Sequence, residues 1–554
     1  MRTRPSRKHS AKVKMTSSQQ PKPADHARER GASRRERGST ARKRKRPGKG
    51  RPRLQRDSEL EALLRRPSAF RAWHVPEPAV LVGDGHPSPD PKLGIASYGP
   101  CRTTDDPGRQ QIRIGIIGTG ATVGLAQHWL ERCRRRVDPR TEDEADPFLF
   151  PSFPGMEERD GFDCKLDFPQ SLVETLTERE VALCIKAASR DAAVEAMGQT
   201  IRERLQALSE KDGPPDVVLI ALPQEVRDAA GGGRGRQRRH RQSPQKKQLT
   251  LAFMDPKPLE QFSPSRTLHR VIKAEGMRAN IPTQLAWPGT LEGGRDVQDD
   301  ATRAWNFCTA LYYKCGGVPW RVERLPKNTC YVGISFFQPV DAIGELQASM
   351  AQAFSDRGEG TVLRGVPFKW DRTMGPPRLS KEAATALLEG VLTQYERHHH
   401  QKPARVVVHK SSAFSDDELT GMMNALKDVS YYDFLSVAPS SIRFLRTGKE
   451  PPIRGTAIQI GQNRYIMYTR GYVPYLRMYP GMRIPRPMQF IHAKGSGGVR
   501  ELMTELLALT RMNWNSADFA SAEPITLAFS RNVGLILSEL PQDIEPKSSF
   551  RFYM

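Results

Sequence analysis

Cysteine is scarce in this chain of 554 residues, and its seven copies are scattered. They are Cys101, Cys133, Cys164, Cys184, Cys308, Cys315 and Cys330. No two of them form the C-x-x-C pair of a zinc ribbon, and an odd, dispersed set argues against a disulfide framework. Such cysteines suit a reducing compartment, so we expect a cytoplasmic protein.

Long hydrophobic runs are also missing. Hydrophobic residues make up 38% of the chain, and the mean hydropathy is −0.58. No run approaches the ~20 apolar residues of a membrane span. The N-terminus has no apolar stretch after its charges, which excludes a secretory signal. We therefore expect no membrane association.

Positive charge is concentrated at one end. Residues 1–50 carry eighteen Lys and Arg against three acids, a balance of +15 within a total of +24. We predict that residues 1–56 form a basic disordered tail, because they contain almost no large apolar residue. Such a tail suits nonspecific nucleic-acid binding, but it is equally consistent with a merely solvated segment, or with translation that starts at Met15.

The rest of the chain divides by pattern. Residues 57–110 are Pro-rich and predict a short N-terminal extended segment that packs onto another element. Strands alternate with helices over 111–325, interrupted by a basic loop at 231–247. A second block of strands and amphipathic helices covers 326–554. The sequence thus predicts an α/β fold of two lobes without internal repeats.

A Gly-rich turn, GTGATVG, follows the first buried strand of the first lobe. An NAD(P)-dependent enzyme is one interpretation of the turn Gly118–Gly124, but the dinucleotide fingerprint needs glycine at the position of Val123. No acidic residue clearly ends a second strand about 20 residues later. A simple tight reversal of the chain is the other interpretation.

Four polar residues form a more informative set. His269 and Lys273 are four residues apart, so they share one face of a helix. Gln284 follows in NIPTQLAW, and Lys314 ends the next helix. Two cations, an amide and a histidine can converge on one phosphate. By spacing alone, a solvated basic helix face explains them as well.

Longer segments resemble one known family. RTLHRVIKAEGM, NIPTQLAW, AWNFCTALYYKCGGVPW, CYVGISFF and LTRMNWNSADFASAEPITLAFSRNVG are similar to the MID and PIWI domains of prokaryotic Argonautes, above all the short group without N and PAZ domains. The resemblance covers about residues 70–554. It implies a Rossmann-like MID domain (111–325) followed by an RNase H-like PIWI domain (326–554).

The resemblance also implies the residues of a guide-binding site. In that family a MID pocket holds the 5′-phosphate of a guide strand, and the matching positions are His269, Lys273, Gln284 and Lys314. Mg²⁺ commonly joins that site, where Gln284 and the C-terminal carboxylate of Met554 would be its protein ligands, in keeping with its preference for oxygen.

In slicing relatives a carboxylate tetrad of the PIWI domain holds two metal ions. The degenerate tetrad positions here are Ser335 and Lys410, and no acid lies near 529–531. We therefore expect no catalytic residue and no cleavage. Contacts to the nucleic-acid backbone are expected from Arg483, Arg486, His492, Lys494, Arg511, Asn513 and Arg531.

The function implied is guide-dependent recognition without slicing. The resemblance implies that the guide is a 5′-phosphorylated RNA, which would pair with invading target DNA. The chain would then activate an APAZ-containing effector with a TIR, sirtuin-like or nuclease domain, bound as a heterodimer and forming higher oligomers on target binding. Such an output would serve prokaryotic defence against plasmids or phages.

Overall fold

The computed structural model describes residues 70–554 with ten short gaps in the chain. The gaps are 104–106, 141–145, 231–265, 295–296, 339–344, 355–359, 371–374, 449, 482–483 and 542–543. The predicted tail (1–56), the predicted basic loop (231–247) and Arg483 therefore lie outside the described residues.

Eighteen strands occur in the described ranges, and they form three sheets. They are β1 (Arg71–His74), β2 (Val80–Val82), β3 (His86–Ser88), β4 (Gln111–Gly118), β5 (Lys165–Asp167), β6 (Val173–Thr175), β7 (Val217–Ala221), β8 (Thr283–Ala286), β9 (Arg321–Val322), β10 (Thr329–Phe337), β11 (Glu345–Phe354), β12 (Val362–Arg364), β13 (Phe368–Lys369), β14 (Arg405–Lys410), β15 (Tyr431–Pro439), β16 (Thr456–Gln459), β17 (Arg464–Met467) and β18 (Met488–Gly495).

Twelve α-helices belong to the same described ranges. They are α1 (Pro91–Tyr98), α2 (Gly120–Arg134), α3 (Glu178–Ile185), α4 (Arg190–Ser209), α5 (Gln224–Ala230), α6 (Leu268–Arg278), α7 (Pro288–Glu292), α8 (Asp300–Lys314), α9 (Lys381–His399), α10 (Asp416–Ala425), α11 (Val499–Leu509) and α12 (Ile525–Leu537). A 3₁₀ turn at Phe550–Phe552 precedes the C-terminus. None of the described helices is long and apolar enough to cross a bilayer.

The first lobe is built on a parallel sheet. Strand β4 pairs with β5, β6 and β7, and β7 pairs with β8, all in parallel. Strands β4 and β7 are buried almost throughout, as parallel strands covered on both faces must be. This is the doubly wound arrangement that the alternating pattern predicts.

The Gly-rich turn after β4 serves packing in this lobe. Thr119 caps α2, and the Thr122 hydroxyl donates to the Ala221 carbonyl oxygen at 2.6 Å. A Cβ at Gly118 would lie 2.6 Å from that same carbonyl oxygen. Glycine is therefore needed at 118 for the close approach of β4 to β7, independently of any cofactor.

The second lobe is a mixed sheet with helices on both faces. Strands β10, β14 and β15 are parallel neighbours, while β11 and β18 are antiparallel to the strands beside them. Helices α9 and α10 pack on the face that carries Val332 and Val408, and α11 packs on the face that carries Tyr331. At Gly333 a side chain would collide with the Thr526 carbonyl group, so glycine lets α12 lie directly on β10.

The N-terminal segment joins both lobes. Strand β1 extends the large sheet beside β16, and β2 pairs with β9. The described residues from Phe70 onward belong to one compact unit, and the predicted boundary at 325/326 falls between β9 and β10. The predicted fold class, α/β with a Rossmann-like lobe followed by an RNase H-like lobe, is confirmed.

Candidate functional site

One cavity of about 290 Å³ collects the predicted phosphate-binding residues. His269, Lys273, Gln284 and Lys314 all line it, together with the C-terminal residue Met554. Further lining residues come from both lobes: Arg270, Leu285, Asn513, Asn515, Ala528, Phe529, Asn532, Leu535, Ile536, Phe550 and Tyr553. The cavity therefore lies where the two lobes and the chain end meet.

Three elements of the first lobe position the four predicted phosphate-binding residues of the cavity. Helix α6 begins after Thr267, whose hydroxyl accepts a hydrogen bond from the Arg270 amide. His269 and Lys273 follow one turn apart on that helix, as their spacing predicts. Strand β8 contributes Gln284, and Lys314 is the last residue of α8.

The two lysines are buried cations without an acidic partner among the described side chains. Lys273 is 2% exposed and Lys314 is 1% exposed. The Lys273 ammonium donates to the Thr283 carbonyl oxygen, and the Lys314 ammonium donates to Gln284 Oε1 at 2.6 Å. Neither acceptor neutralises the charge, so the pair leaves positive potential in the cavity.

Burial changes the acidity of both lysines. The pKa of Lys314 is lowered to about 8 because burial disfavours its charged form. The pKa of Lys273 lies well below its usual value, first because of burial and second because Lys314 is near. An anion in the cavity would reverse both effects by favouring the charged amines.

His269 and Arg270 continue the polar wall of the cavity, Arg270 as a cation and His269 as a neutral ring. The pKa of His269 is lowered to about 3, first by loss of hydration and then by the charges of Lys273, Lys314 and Arg270. The His269 side chain nevertheless remains exposed, so solvent and an entering ligand can reach it. Sequence reasoning missed Arg270, because a residue directly after His269 on a helix does not share the face of His269 and Lys273.

The chain end closes the cavity from the second lobe. The Phe550 ring stacks on Phe529 of α12, with centroids 3.3 Å apart, and the Tyr553 hydroxyl donates to the Lys547 carbonyl oxygen at 2.8 Å. These contacts fix the last residues, and Met554 is 7% exposed. Met554 thereby lines the same cavity as Gln284.

Several residues with side-chain oxygens line this cavity, among them Gln284, Asn513, Asn515 and Asn532. Gln284 Oε1 and the Met554 carboxylate fit the chemistry of a hard cation such as Mg²⁺. Within the described part of the chain, no cluster of three or more His, Cys, Asp or Glu side chains is arranged to hold a metal ion. A cation here would therefore need the oxygens of a bound phosphate as further ligands.

The predicted tetrad positions need one correction. Ser335 lies on the α12 face of the sheet, where its hydroxyl donates to the Ser530 carbonyl oxygen at 2.6 Å. Lys410 points to the opposite face, because successive strand residues alternate, and it forms a buried ion pair with Glu418. In the register Ile334–Lys410, the residue beside Ser335 is Ser411, which the sequence reasoning missed.

The corrected pair carries no carboxylate. Ser411 follows directly after β14 and is exposed. Asp416 and Asp417 open α10 beside its capping residue Ser415, as their sequence predicts, and Glu418 pairs with Lys410. Strand alternation after His409 was the signal that would have located Ser411.

A second correction concerns Arg511, which we expected to contact a nucleic-acid backbone. Its guanidinium is fully buried and donates to Glu77 and to the Pro78 and Pro89 carbonyl oxygens at 2.7–3.2 Å. Arg511 therefore holds the N-terminal segment and is inaccessible to a ligand. Its position just after the apolar helix α11 gave a hint of burial.

The other expected backbone contacts lie in different settings. His492 contacts Asp433 at 3.0 Å, and Arg531 forms a bidentate pair with Glu523. Arg486 donates to the Ser440 carbonyl oxygen at 3.0 Å, and Lys494 is exposed on β18. Asn513 lies in the cavity wall, so it is closer to the phosphate-binding residues than to this group.

Comparison with solved structures identifies the class of fold. The chain is similar to Clostridium butyricum Argonaute bound to a guide DNA and a 19-mer target DNA, with a TM-score of 0.59, 14% identity and 87% of this chain covered. Drosophila Piwi and A. aeolicus Argonaute each give a TM-score of 0.53 over 87% of this chain, at 13% and 14% identity. The sequence matches no protein-family model and no curated protein.

The chain therefore has an Argonaute-like MID–PIWI fold. It spans 55–56% of the length of these three structures. The assignment of residues 111–325 to a MID domain and of residues 326–554 to a PIWI domain stays a prediction.

Proposed function

We propose that this chain binds the 5′-phosphate of a guide strand in the cavity between its lobes and uses the guide to recognise a target. The observation that carries the proposal is the convergence of four nitrogen-bearing side chains, from His269 to Lys314, on one cavity. Two of them are lysines buried without an acidic partner among the described residues.

A phosphate explains why these lysines are tolerated. Burying an unpaired ammonium is costly, and natural proteins keep such groups mainly where a ligand compensates them. A terminal phosphate carries up to two negative charges and several acceptor oxygens, which match the two amines and the His269 ring. The solved structure with guide and target DNA supports the same kind of ligand through its shared fold.

Mg²⁺ is the proposed cofactor at the guide end. Gln284 Oε1 and the Met554 carboxylate would hold it, and it would neutralise phosphate oxygens close to the chain end. The cation is thus a structural link between guide and protein rather than a catalytic one.

The proposed protein does not cut its target. Ser335 and Ser411 stand side by side where a metal cradle would require acids, and Lys410 is committed to Glu418. Hydroxyl groups are weak ligands for the metal pair that phosphodiester cleavage uses. The proposed class is accordingly a short, inactive Argonaute.

The proposed output lies in a partner. A chain that recognises a target without cutting it needs a second protein to act on that recognition. We place there an APAZ-containing effector with a TIR, sirtuin-like or nuclease domain, joined as a heterodimer and assembled further by target binding. The guide is proposed to be RNA, the target invading DNA, and the role prokaryotic immunity.

The pocket is tested with Lys273→Met, which removes the ammonium and keeps the length of the buried stem. Charge-assisted contacts to phosphate contribute about 1.5–3 kcal/mol, so affinity for a 5′-phosphorylated guide should fall by roughly one to two decades. Affinity for the same guide with a 5′-hydroxyl should hardly change. Equilibrium filter binding of the two guides measures both values.

The matched control is Lys165→Ala, which removes one exposed charge from the first lobe outside the cavity. It should weaken both guides slightly and equally, because it alters only the general field. Equal losses of both guides in Lys273→Met would mean that the cavity does not read the phosphate.

A further inference from the structure

A carboxylate of the second lobe lies at the helix that carries the phosphate-binding residues. Glu539 follows α12 by two residues, and its side chain is only 1% exposed. It accepts a hydrogen bond from Arg266 Nε at 2.9 Å. Arg266 immediately precedes Thr267, the residue that caps α6.

Arg266 connects three elements at this point. Its second guanidinium edge reaches Glu195 of α4 at 2.6 Å, and its carbonyl oxygen accepts from the Arg190 guanidinium at 2.7 Å. Helix α6 also packs directly against α12. The Arg190 contact thus ties the start of α6 to α4, and the buried Glu539 ties it to the other lobe.

The same carboxylate faces the cavity residues of α6. Burial raises the pKa of Glu539, while Arg266, the Thr267 amide and Arg270 lower it. Arg270 lines the cavity beside His269. A negative charge at the first turn of α6 also complements the positive end of the helix dipole.

Electrostatics alone would not favour a buried carboxylate close to a site for an anion. A buried carboxylate near an anion site repels the anion, and the repulsion is poorly screened away from water. A site selected only for positive potential would therefore have a neutral residue at 539. The contacts that Glu539 makes instead concern the placement of α6.

We propose that Glu539 is a positioning residue for the phosphate cavity: through Arg266 it fixes the first turn of α6 so that His269, Arg270 and Lys273 converge on one ligand. The proposal rests on the proposed function of that cavity. It makes phosphate recognition by the first lobe dependent on a side chain of the second.

Glu539→Gln tests the idea by the sign of its effect. The amide keeps the shape but loses the charged bridge, so the ratio of 5′-hydroxyl to 5′-phosphate dissociation constants should fall by about tenfold. Loss of electrostatic repulsion alone would raise that ratio. Full-length protein and short guides that differ only at the 5′ end are the materials.

Glu195→Gln is the matched control, since it removes the other acid that pairs with Arg266. The Glu195 side chain is 55% exposed. The ratio for this variant should stay within about twofold of the unchanged protein, as exposed pairs contribute little. Glu539→Asp, which restores the charge, should recover part of the lost preference, whereas an effect of general destabilisation would lower binding of both guides together.

The outcomes separate the two proposals. If the unchanged protein prefers the phosphate and Glu539→Gln keeps or increases that preference, the positioning role is wrong and the cavity assignment stands. If the unchanged protein shows no preference, the proposed function is wrong, and the positioning role is wrong with it.

Discussion

At the scale of single residues, the cavity is defined by charges that the fold does not neutralise. Lys273 and Lys314 are buried with carbonyl and amide oxygens as their acceptors, and no described acid pairs with them. Such groups lower the stability of the empty protein and favour an anionic ligand. The same two buried ammonium groups therefore lower the stability of the empty protein and provide the proposed binding of an anion.

Lys314 gives this cost a pH dependence. Its pKa is about 8 in the folded protein and about 10.4 in an unfolded chain. Between these values the unfolded chain binds more protons, so the free energy of unfolding should rise with pH from about 8 to 10.4. Below pH 8 the amine is charged in both states and contributes no further slope.

Chemical denaturation across pH 7–10.5 measures this effect against Lys314→Met, which should lose that contribution. Adding a phosphorylated guide should suppress it as well, because the anion raises the pKa of the amine. A slope that is the same in both proteins would show that Lys314 ionises normally.

The site was partly predictable from sequence. The i, i+4 spacing put His269 and Lys273 on one face, but only the family resemblance connected them with Gln284 and Lys314, which come from a strand and another helix. Arg270 was missed because helical spacing points it away from the Lys273 row. Ser411 was missed because the strand pattern was read to Lys410 without following the alternation of faces.

At the scale of elements, buried ion pairs attach the N-terminal segment to the second lobe. Glu77 accepts from Arg454 Nε at 2.7 Å and from Arg511 at 3.2 Å. Both arginines are buried, at 2% and 0% side-chain exposure, whereas Glu77 is 29% exposed. One acid thus compensates two buried cations and attaches residues before β2 to the segments just before β16 and just after α11.

Removing the Glu77 carboxylate should lower the free energy of unfolding. Glu77→Gln leaves two buried guanidinium groups without their counter-charge, and breaking buried pairs of this kind costs about 3–5 kcal/mol. We expect the lower end, because Glu77 is partly hydrated. Urea denaturation measures it.

Glu323→Gln provides the control, since Glu323 and Arg324 form an exposed pair. Surface substitutions of this sort stay within about ±0.5 kcal/mol. If Glu77→Gln is equally mild, the arginines are solvated in solution and the segment is not held by this contact.

Most elements near the site were predictable because they are long and periodic. The strands at β4, β7, β10, β14 and β15 and the helices α6, α8, α9 and α12 follow their apolar patterns. The strands β1, β2 and β3 are three or four residues long, too short for periodicity to show. Strand β1 pairs with β16 and β2 pairs with β9, and both partners lie far away in sequence. These pairings were therefore not predictable from the local pattern.

At the scale of the whole molecule, the proposed function separates target recognition from target cutting. Guided complexes should leave a matched target intact in Mg²⁺ or Mn²⁺, because the edge at Ser335 and Ser411 offers hydroxyl groups where acids are needed. Denaturing gels of end-labelled target measure this. Guide-directed cleavage that disappears on substitution at Ser335 would contradict it.

The basic tail offers the competing account of nucleic-acid binding. Deleting residues 1–56 removes most of the net charge, so affinity at low salt should fall and its salt dependence should weaken. The preference for a 5′-phosphate should persist, because the cavity lies in residues 269–554. If deleting the tail abolishes the preference for a 5′-phosphate, the tail recognises the phosphate and the assignment to the cavity is wrong.

The most direct test of the central claim is a crystal structure of the chain with a 5′-phosphorylated guide. We predict density for the terminal phosphate between His269, Lys273 and Lys314, within reach of the Met554 carboxylate through a cation. A guide whose 5′ end lies elsewhere, with the cavity free of phosphate, would contradict the account.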